Sequence, residues 1–503
     1  SPTTIDGLAP GSTIFAFVRE FAEAEEERTS REISVTSTDI PPSPSDLTAR
    51  AGDFFVDLSW PSTRDADSYT IYWSTTPSVA PATGIAISLG DVTSYRHEGL
   101  SPALTYTYIV VAENALGASP SSAQRQAQPL GDPIDPRWAY VPPTSVRTHP
   151  YDPRQTSEQN GSALAGAVAT LRPGERLEIE RGTYTFTGTI RILLQGLATA
   201  PIFVAAAPGA SVILTQSLAN RDVLNIGPST TGLPATSYFS LENLTIRGGN
   251  DGLAIHNVDN VRVDRCTIEN IDDTGIIATT VDHCDVWVTR STIRNTGIGA
   301  SGAGRAILVG RDFTVIGAGW RISRNTIEQI TAGSTPQGVV FASGTHSSLI
   351  SENTIQDTGL ASVLVVSTGG QPVNRIDRNR IFRSGTRLIR VQSDVEITNN
   401  LLIDGTTECL LVHDITGVAG NVRVVHNTLV NTGVGADLPN WGGRSLMTFA
   451  NNAVYSQTAR SVRFVNGAAN TTVAGNVEVG GVSNSPGGFL SSVRGLSDFV
   501  NLT

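Results

Sequence analysis

One short phrase recurs along the second half of the chain and limits what the chain can fold into. Between Thr236 and Asn476 a polar residue, most often Asn, precedes a Thr or Leu and then an apolar residue. The copies lie roughly 21 to 28 residues apart except for one longer step, which is the period of stacked supersecondary units and predicts a solenoid. Aligned on the polar residue, the copies predict a ladder of structural side chains at Asn243, Cys266, Ser291, Asn325, Asn353, Asn379, Asn400, Asn427, Asn452 and Asn476.

The composition favours strands and turns and disfavours some partners. The chain has 503 residues with 49 Gly, and its formal net charge is −11. That charge argues against a nucleic-acid partner, because proteins that neutralise phosphates normally carry a basic face. No apolar run approaches the ~18 residues that a membrane-spanning segment needs. All 35 basic residues are Arg, and the three Cys are too few and too irregular for a disulfide framework or a zinc site.

The N-terminal third predicts sandwich domains. Residues 40–128 contain short alternating strands between turns rich in Pro, Gly and Ser, which is typical of an antiparallel sandwich. This stretch resembles a fibronectin type III domain, and the resemblance implies a spacer or adhesion role. Residues 1–39 are predicted to be part of another such module, and residues 129–159, rich in Pro and Asp, are predicted to be a linker. The resemblance depends on Trp60, Tyr69, Ile71, Leu100, Tyr106, Tyr108, Ala112, Asn114, Gly117 and Ser119.

The region that follows the linker carries a second resemblance. Residues 161–171 predict a helix that caps the first coil of the solenoid. A Pro-Gly-x-x-Leu-x-Ile segment (173–179), a Gly-Thr-Tyr turn (182–184), an Ala-Pro-Ile strand (200–202) and the Asn-Thr-Ile repeats resemble the pectate-lyase-like right-handed parallel β-helix superfamily. The predicted fold is therefore all-β: a right-handed parallel β-helix over 160–503, preceded by one and a half fibronectin type III-like sandwiches.

Strand alternation predicts which side chains face outward. Four residues before each ladder position lies a column that is basic and contains one aromatic residue, and it is predicted to bind substrate because Arg recognises carboxylates and Trp can stack on sugar rings. A second column, just after the ladder, alternates in charge from coil to coil and predicts only stacking. The predicted substrate-binding residues are Arg262, Trp287, Arg321, Arg375 and Arg423.

The third strand of each coil follows a loop of variable length, and such insertions commonly mark the binding side of a repeat protein. Among the outward residues expected on this strand, only Arg390 is charged; the others are Ala254, Ile277, Ile307, Val340, Leu364 and Leu411. With Glu408 and His413 one coil away, Arg390 is the first candidate catalytic residue. The alternative is an ordinary surface ion pair.

The superfamily resemblance implies two kinds of catalytic chemistry. Its polysaccharide lyases use calcium or another cation to neutralise a uronate and an Arg or Lys as the base; without Lys, the base here would be Arg, His or Tyr. Its polygalacturonase-type hydrolases use aspartates on adjacent coils, which makes Asp272 and Asp273, with Asp251 one coil before, the second candidate set. The Arg-x-Lys partner of that family is missing, and these carboxylates could instead cap a turn or bind calcium. No metal-binding motif of Cys and His occurs.

Two functions therefore stay open. The first is an extracellular or cell-surface β-helix protein that binds and degrades, or only binds, a polysaccharide, acidic or otherwise, or another cell-surface polymer. The second is a non-catalytic structural or adhesive surface protein. Calcium is the one cofactor that the resemblance admits, and neither the oligomeric state nor the presence of catalysis is predicted.

Overall fold

The computed structural model places the chain in two compact units, residues 1–141 and 142–503. Near the N terminus it describes only the backbone of four short strands, in which Ile14–Ala16 pairs antiparallel with Ile33–Val35 and Arg19–Glu20 with Arg28–Thr29. The rest of the predicted partial module at 1–39 lies outside the described residues. Beyond it, the described residues are 40–279, 282–310, 316–367, 369–458, 460–465, 467, 471–485 and 487–492.

The first unit contains an antiparallel sandwich. One sheet has three strands, Thr48–Gly52, Phe55–Ser59 and Ser94–Glu98, and the other has five, Ser68–Ser74, Ile85–Leu89, Tyr106–Asn114, Gly117–Ala118 and Arg125–Ala127. The side chains of Trp60, Tyr69 and Tyr108 are buried between the two sheets, which is why the sequence alternates apolar and polar residues here. A short 3₁₀ helix, Arg137–Tyr140, follows the sandwich.

The solenoid begins earlier than the sequence predicted. Ser145–His149, which falls in the predicted linker 129–159, is a strand that pairs in parallel with Glu175–Ile179 and so belongs to the first coil. Helix α1 (Ser157–Ala169) follows, and Thr156 and Gln159 form a capping box at its start. Leu164 and Val168 on α1 join the solenoid core and cover its open end. Among the described residues, no helix has the length and apolar character needed to span a membrane.

Three long parallel sheets run the length of the second unit, and each coil contributes one strand to each sheet. The first sheet precedes the ladder position and also takes in the two short strands Gly317–Ala318 and Thr345–His346. Its other strands are Ser145–His149, Glu175–Ile179, Ile202–Ala206, Thr236–Glu242, Val258–Asp264, His283–Thr289, Arg321–Ser323, Leu349–Ser351, Asn374–Asp377, Ser393–Thr398, Gly420–Val425, Thr448–Ala450 and Thr472–Ala474.

The second and third sheets complete each coil. The strands of the second sheet are Gly182–Phe186, Val212–Gln216, Thr245–Arg247, Thr267–Ile271, Thr292–Thr296, Thr326–Glu328, Thr354–Thr358, Arg380–Ser384, Leu401–Gly405, Thr428–Asn431, Ala453–Ser456, Asn476–Val479 and Phe489–Ser491. Those of the third are Ile190–Ile192, Leu224–Ile226, Leu253–Ile255, Ile276–Ala278, Ile307–Val309, Val339–Phe341, Val363–Val365, Arg387–Val391, Glu408–Val412, Val434–Leu438, Val462–Phe464 and Val482–Ser483. Their inward Val, Ile and Leu side chains form one continuous core.

A hydrogen-bonded ladder of Asn side chains occupies the corner between the first and second sheets. Except in Asn476, which ends the ladder, each Nδ2 donates to the Oδ1 of the Asn on the next coil at 2.9–3.1 Å, and each also donates to a backbone carbonyl on the preceding coil. Each Oδ1 also accepts the backbone N–H of the previous ladder residue. The ladder thereby satisfies buried backbone groups that the corner would leave unpaired. Its members are Asn325, Asn353, Asn379, Asn400, Asn427, Asn452 and Asn476.

The prediction for Asn243 is wrong by one residue. Strand pairing places Leu244, not Asn243, beside Cys266, which holds the ladder position on the next coil. Asn243 is exposed, has φ 56° and accepts a hydrogen bond from Arg265 Nε at 3.2 Å. Positive φ recurs at the residue before each ladder position, because this sharp corner needs one residue in the left-handed region. Asn is among the residues that tolerate that region best, so its presence there misled the alignment.

Candidate functional site

The outward column of the first sheet is in the predicted register, but Arg262 is not on its surface. Arg262 pairs with Trp287, Trp287 with Arg321, and the column continues through Leu349, Arg375, Glu396 and Arg423. The Arg262 side chain is only 5% exposed. Its role as a substrate-binding residue is therefore contradicted, because a buried guanidinium cannot reach a polymer.

Arg262 instead joins a buried ion network. Its Nη1 lies 2.7 Å from Glu242 Oε1, and its Nη2 lies 2.8 Å from Asp264 Oδ2. Burial alone would raise the pKa of Glu242, but Arg262 and Arg176 outweigh that effect and lower it. The ionised Glu242 therefore stabilises the folded state at pH values above the ordinary pKa of a carboxyl group. This contribution to the free energy of unfolding is lost as the pH falls through the lowered pKa of Glu242.

The exposed arginines of the first-sheet column share carboxylate partners. Arg375 and Arg423 flank Glu396, at 3.2 and 2.7 Å, and both are more than half exposed. Arg321 donates to the backbone oxygen of Ser347 at 3.2 Å. A surface pocket of about 400 Å³ lies beside Arg321, Leu349 and Arg375. The face is thus less basic than the sequence suggested, since Glu396 offsets two of its cations.

On the third sheet, strand pairing corrects one predicted outward residue and adds three, Asn225, Asp437 and Arg463. Leu308 pairs with Ile277 and Val340, whereas Ile307 points into the core. The column of outward residues continues past Leu411 to Asp437 and Arg463 on the next two coils. The sequence prediction did not include them, although the two-residue alternation along their strands would have located them. The outward column is Asn225, Ala254, Ile277, Leu308, Val340, Leu364, Arg390, Leu411, Asp437 and Arg463.

A group of charged side chains, here called the Arg390 cluster, lies at the C-terminal end of this column. It consists of Arg387, Arg390, Glu408, His413, Asp437 and Arg463. Arg387 pairs with Glu408, and Arg463 Nε lies 2.9 Å from Asp437 Oδ1. Arg390 differs from both, because it forms no ion pair with a carboxylate in the described part of the chain and donates from Nε to His413 Nε2 at 2.9 Å.

The hydrogen bond between Arg390 and His413 defines the state of the imidazole. A guanidinium can only donate, so His413 Nε2 is the unprotonated nitrogen that accepts. Burial, together with the charges of Arg390 and Arg387, lowers the pKa of His413. Burial and Arg387 likewise lower the pKa of Arg390. The pair is therefore a cation beside a neutral imidazole, and the remaining N–H groups of Arg390 can bind an anion.

An apolar pocket adjoins the Arg390 cluster on the same face. It has a volume of about 300 Å³. Leu308, Val340 and Leu364 form its floor, with Arg305 at the opposite end from Arg390. The pKa of Arg305 is lowered by burial, and its Nε is buried without a hydrogen-bond partner. The third sheet thus presents an apolar strip between two half-buried guanidinium groups.

Asp251, Asp272 and Asp273 lie close together, as expected from their positions on adjacent coils. Asp272 and Asp273 line a pocket of about 290 Å³ with Asn220 and Asn250. Asp251 is buried and accepts the backbone N–H of Thr274 at 2.9 Å. Asp273 Oδ1 accepts the backbone N–H of Ala303. Two of the three carboxylates thus hold backbone groups of neighbouring loops, as turn-capping residues do.

The pKa of Asp251 is raised to about 8. Burial is the largest cause, and the charges of Asp222 and Asp273 add to it. Because the unfolded chain releases this proton near pH 4 and the folded chain keeps it to about 8, the folded state loses stability as pH rises through that window.

The free energy of unfolding of the parent chain is expected to fall by roughly 5 kcal/mol between pH 4 and pH 8 because of Asp251, since its shift of about four pKa units corresponds to about 1.4 kcal/mol per unit, and replacing Asp251 with Asn is expected to remove this fall. Denaturant unfolding at the two pH values measures the difference. The control is Asp404→Asn, an exposed carboxylate on the second sheet, and it should leave the pH dependence unchanged. Equal pH profiles for D251N and the parent chain would contradict the assignment.

Within the described part of the chain, one mixed group of side chains could hold a metal ion. The ligand atoms of Asp259, Cys284 and Asp285 all lie within 4.8 Å of one another. The Cys284 thiol lies 3.5 Å from Asp259 Oδ1, and burial raises its pKa to about 12. Cys266 and Cys409 are buried free thiols.

The fold defines the class of protein as a parallel β-helix with a sandwich unit before it. Residues 219–373 match the family model described as the right-handed β-helix region. The predicted all-β fold and the predicted resemblance to the right-handed parallel β-helix superfamily are confirmed by this match and by the three parallel sheets. No curated protein matches the sequence.

Solved structures to which the chain is similar include two polysaccharide lyases and a Fn3-like protein. An alginate lyase from Paenibacillus sp. is 16% identical and aligns over 65% of this chain and 96% of its own, with a TM-score of 0.37. A mannuronic acid specific polysaccharide family 6 lyase from human gut microbiota is 15% identical over 70% of this chain and 93% of its own, with a TM-score of 0.42. A Fn3-like protein from Clostridium thermocellum is 24% identical over 18% of this chain and 94% of its own, with a TM-score of 0.16.

Proposed function

We propose that this chain binds an acidic polysaccharide along the third sheet, outside the cell or at its surface, and that Arg390 contacts a carboxylate of the polymer. The observation that carries the proposal is the half-buried Arg390 guanidinium, which has a neutral imidazole as its partner and no carboxylate ion pair within the described residues. A guanidinium with free N–H groups binds a carboxylate strongly, often through two parallel hydrogen bonds. Arg321, Arg375 and Arg423 on the first sheet are less suited, because their donors are engaged in part by Glu396 and Ser347.

The same pair supports cleavage by β-elimination as a second function. When a uronate carboxylate binds Arg390, the Nε2 lone pair of His413 would be released from its hydrogen bond. The imidazole could then take the proton next to the carboxylate, the electron pair would form the new carbon–carbon double bond, and the bond to the leaving oxygen would break. The leaving oxygen would take its proton from solvent. Calcium held by the oxygen ligands of Asp272 and Asp273 would not act in this step, because these residues lie four coils, about 19 Å, from Arg390 along the solenoid.

The test is an array of acidic and neutral polysaccharides, read for retention of the whole chain and for the ultraviolet absorbance of an unsaturated product. Arg390→Ala is expected to weaken binding of acidic polymers about 10- to 100-fold, because a hydrogen bond to a charged group contributes about 1.5–3 kcal/mol. His413→Gln is expected to preserve binding and abolish any unsaturated product.

Arg423→Ala is the matched control, because Arg423 is an exposed arginine on the other face of the solenoid. It should bind acidic polymers as the parent chain does. If no acidic polysaccharide is retained, or if R390A and R423A weaken binding equally, the third sheet is not the binding face. If nothing is retained, the remaining function is the structural or adhesive one, which the ion pairs between neighbouring coils favour.

A further inference from the structure

The floor of the third-sheet pocket carries no charge over a defined length. Leu308, Val340, Leu364 and Arg390 occupy directly paired positions on four consecutive strands. With neighbouring strands ~4.8 Å apart, Leu364 lies about 5 Å and Leu308 about 14 Å from Arg390 along the solenoid axis. Ala342 and Val366 extend the apolar lining beside this column.

Apart from Arg305, the described residues on the rim of the pocket are polar but uncharged. Gln337, Ser343 and Thr416 line it together with the apolar floor. Thr416 is held in place, because its backbone N–H donates to Gln392 Oε1 at 2.7 Å. These groups can bond sugar hydroxyls, whereas none of them can neutralise a carboxylate.

Resting on the proposed function, we infer that the polymer has acidic units separated by uncharged units that carry a methyl group. The acidic unit contacts Arg390, and the uncharged unit places its methyl group on Leu364 and Val340. The methyl group could belong to a 6-deoxyhexose or to an acetyl substituent, since both offer the same apolar contact.

A chain of uronates alone fits this surface poorly. Its second carboxylate would lie over Leu364 or Val340, and among the described residues that line the pocket Arg305 is the one cation. Removing a carboxylate from water without a partner is costly, whereas covering apolar surface with a methyl group is favourable. Arg305 lies three residues before Leu308, at the far end of the described strip from Arg390, and the nearby Asp273 partly offsets its charge.

The test compares four oligosaccharides of equal length by calorimetry on the full chain. They contain uronates only, uronates alternating with 6-deoxyhexoses, uronates alternating with N-acetylhexosamines, and neutral sugars only. At least one alternating oligosaccharide is expected to bind ten times more tightly than the uronate-only one, and the stronger of the two identifies the source of the methyl group. Leu364→Asn should lower the affinity for that oligosaccharide about tenfold and leave the uronate-only affinity unchanged.

Leu401→Asn is the matched control, because Leu401 is a half-buried outward Leu on the second sheet. It should leave every affinity unchanged. The inference is overturned if the uronate-only oligosaccharide binds as tightly as both alternating ones, or if L364N weakens all acidic ligands equally. Failure of the proposed function looks different: either no acidic oligosaccharide binds, or Arg390→Ala has no effect on any of them.

Discussion

Replacing Asn379 with Ala is expected to lower the free energy of unfolding of the solenoid by about 3–5 kcal/mol. Asn379 accepts hydrogen bonds from the backbone N–H and the Nδ2 of Asn353, and it donates to Asn400 Oδ1 and to the Ile350 carbonyl. Truncation leaves these fully buried partners unpaired, and each unsatisfied buried group costs about 1–3 kcal/mol. Denaturant unfolding followed by circular dichroism measures the loss.

Asn243→Ala provides the matched control for this substitution. Asn243 carries the same side chain one position away from the ladder register, but it is exposed and contacts only the exposed Arg265 among its described hydrogen-bond partners. The expected loss in the free energy of unfolding is below about 1 kcal/mol, as for other surface substitutions, even though Asn243 has a positive φ. If N379A and N243A destabilise the chain equally, the ladder is not what stabilises the corner.

Replacing Asp264 with Asn is expected to cost about 3 kcal/mol of stability, because it removes one of the two carboxylates that neutralise the buried Arg262 and also the ion-pair partner of Arg290. The Asp264 side chain is fully buried and lies 2.8 Å from Arg262 and 2.7 Å from Arg290. It also accepts the hydroxyl hydrogen of Thr289 at 2.9 Å. The amide keeps the shape of the carboxylate, so the loss reports the charge of Asp264 in the network rather than a cavity.

Glu396→Gln is the comparison, since Glu396 also lies between two arginines of the first sheet. Arg375 and Arg423 are mostly exposed, and exposed ion pairs contribute only about 0–1 kcal/mol. A loss of stability for E396Q as large as for D264N would contradict the buried network. Raising the salt concentration should reduce the loss of stability caused by E396Q and leave the loss caused by D264N nearly unchanged, because exposed charges are screened more than buried ones.

The repeat predicted which part of the chain forms the solenoid, and the errors in the predicted register were confined to single positions. The repeat located the coils, and strand alternation correctly placed Arg390 on the outside of the third sheet. The register failed where a coil departs from the common pattern: Asn243 precedes the ladder position, and Ile307 points inward where Leu308 points outward. In both cases one residue changes the facing of a side chain, because strand side chains alternate with a period of two.

The candidate site was also predicted only in part. Alternation identified outward positions on each sheet, but it could not tell Arg262, buried between Glu242 and Asp264, from Arg423, exposed beside Glu396. Burial depends on the neighbouring coils and on the loops that cover them, and these lie 20 or more residues away in sequence.

By itself, the sequence determined the parallel β-helix, the sandwich before it and the corner at which Asn side chains stack, since each depends on a local period that repeats. Only the tertiary structure decided which charged side chains remain available to a ligand. Arg390 meets His413 rather than a carboxylate, and an apolar strip extends from it toward Arg305, because three sheets and their loops bring together residues from several coils. No local sequence pattern predicts these contacts, because the free energy of a charged side chain depends on its neighbours in space.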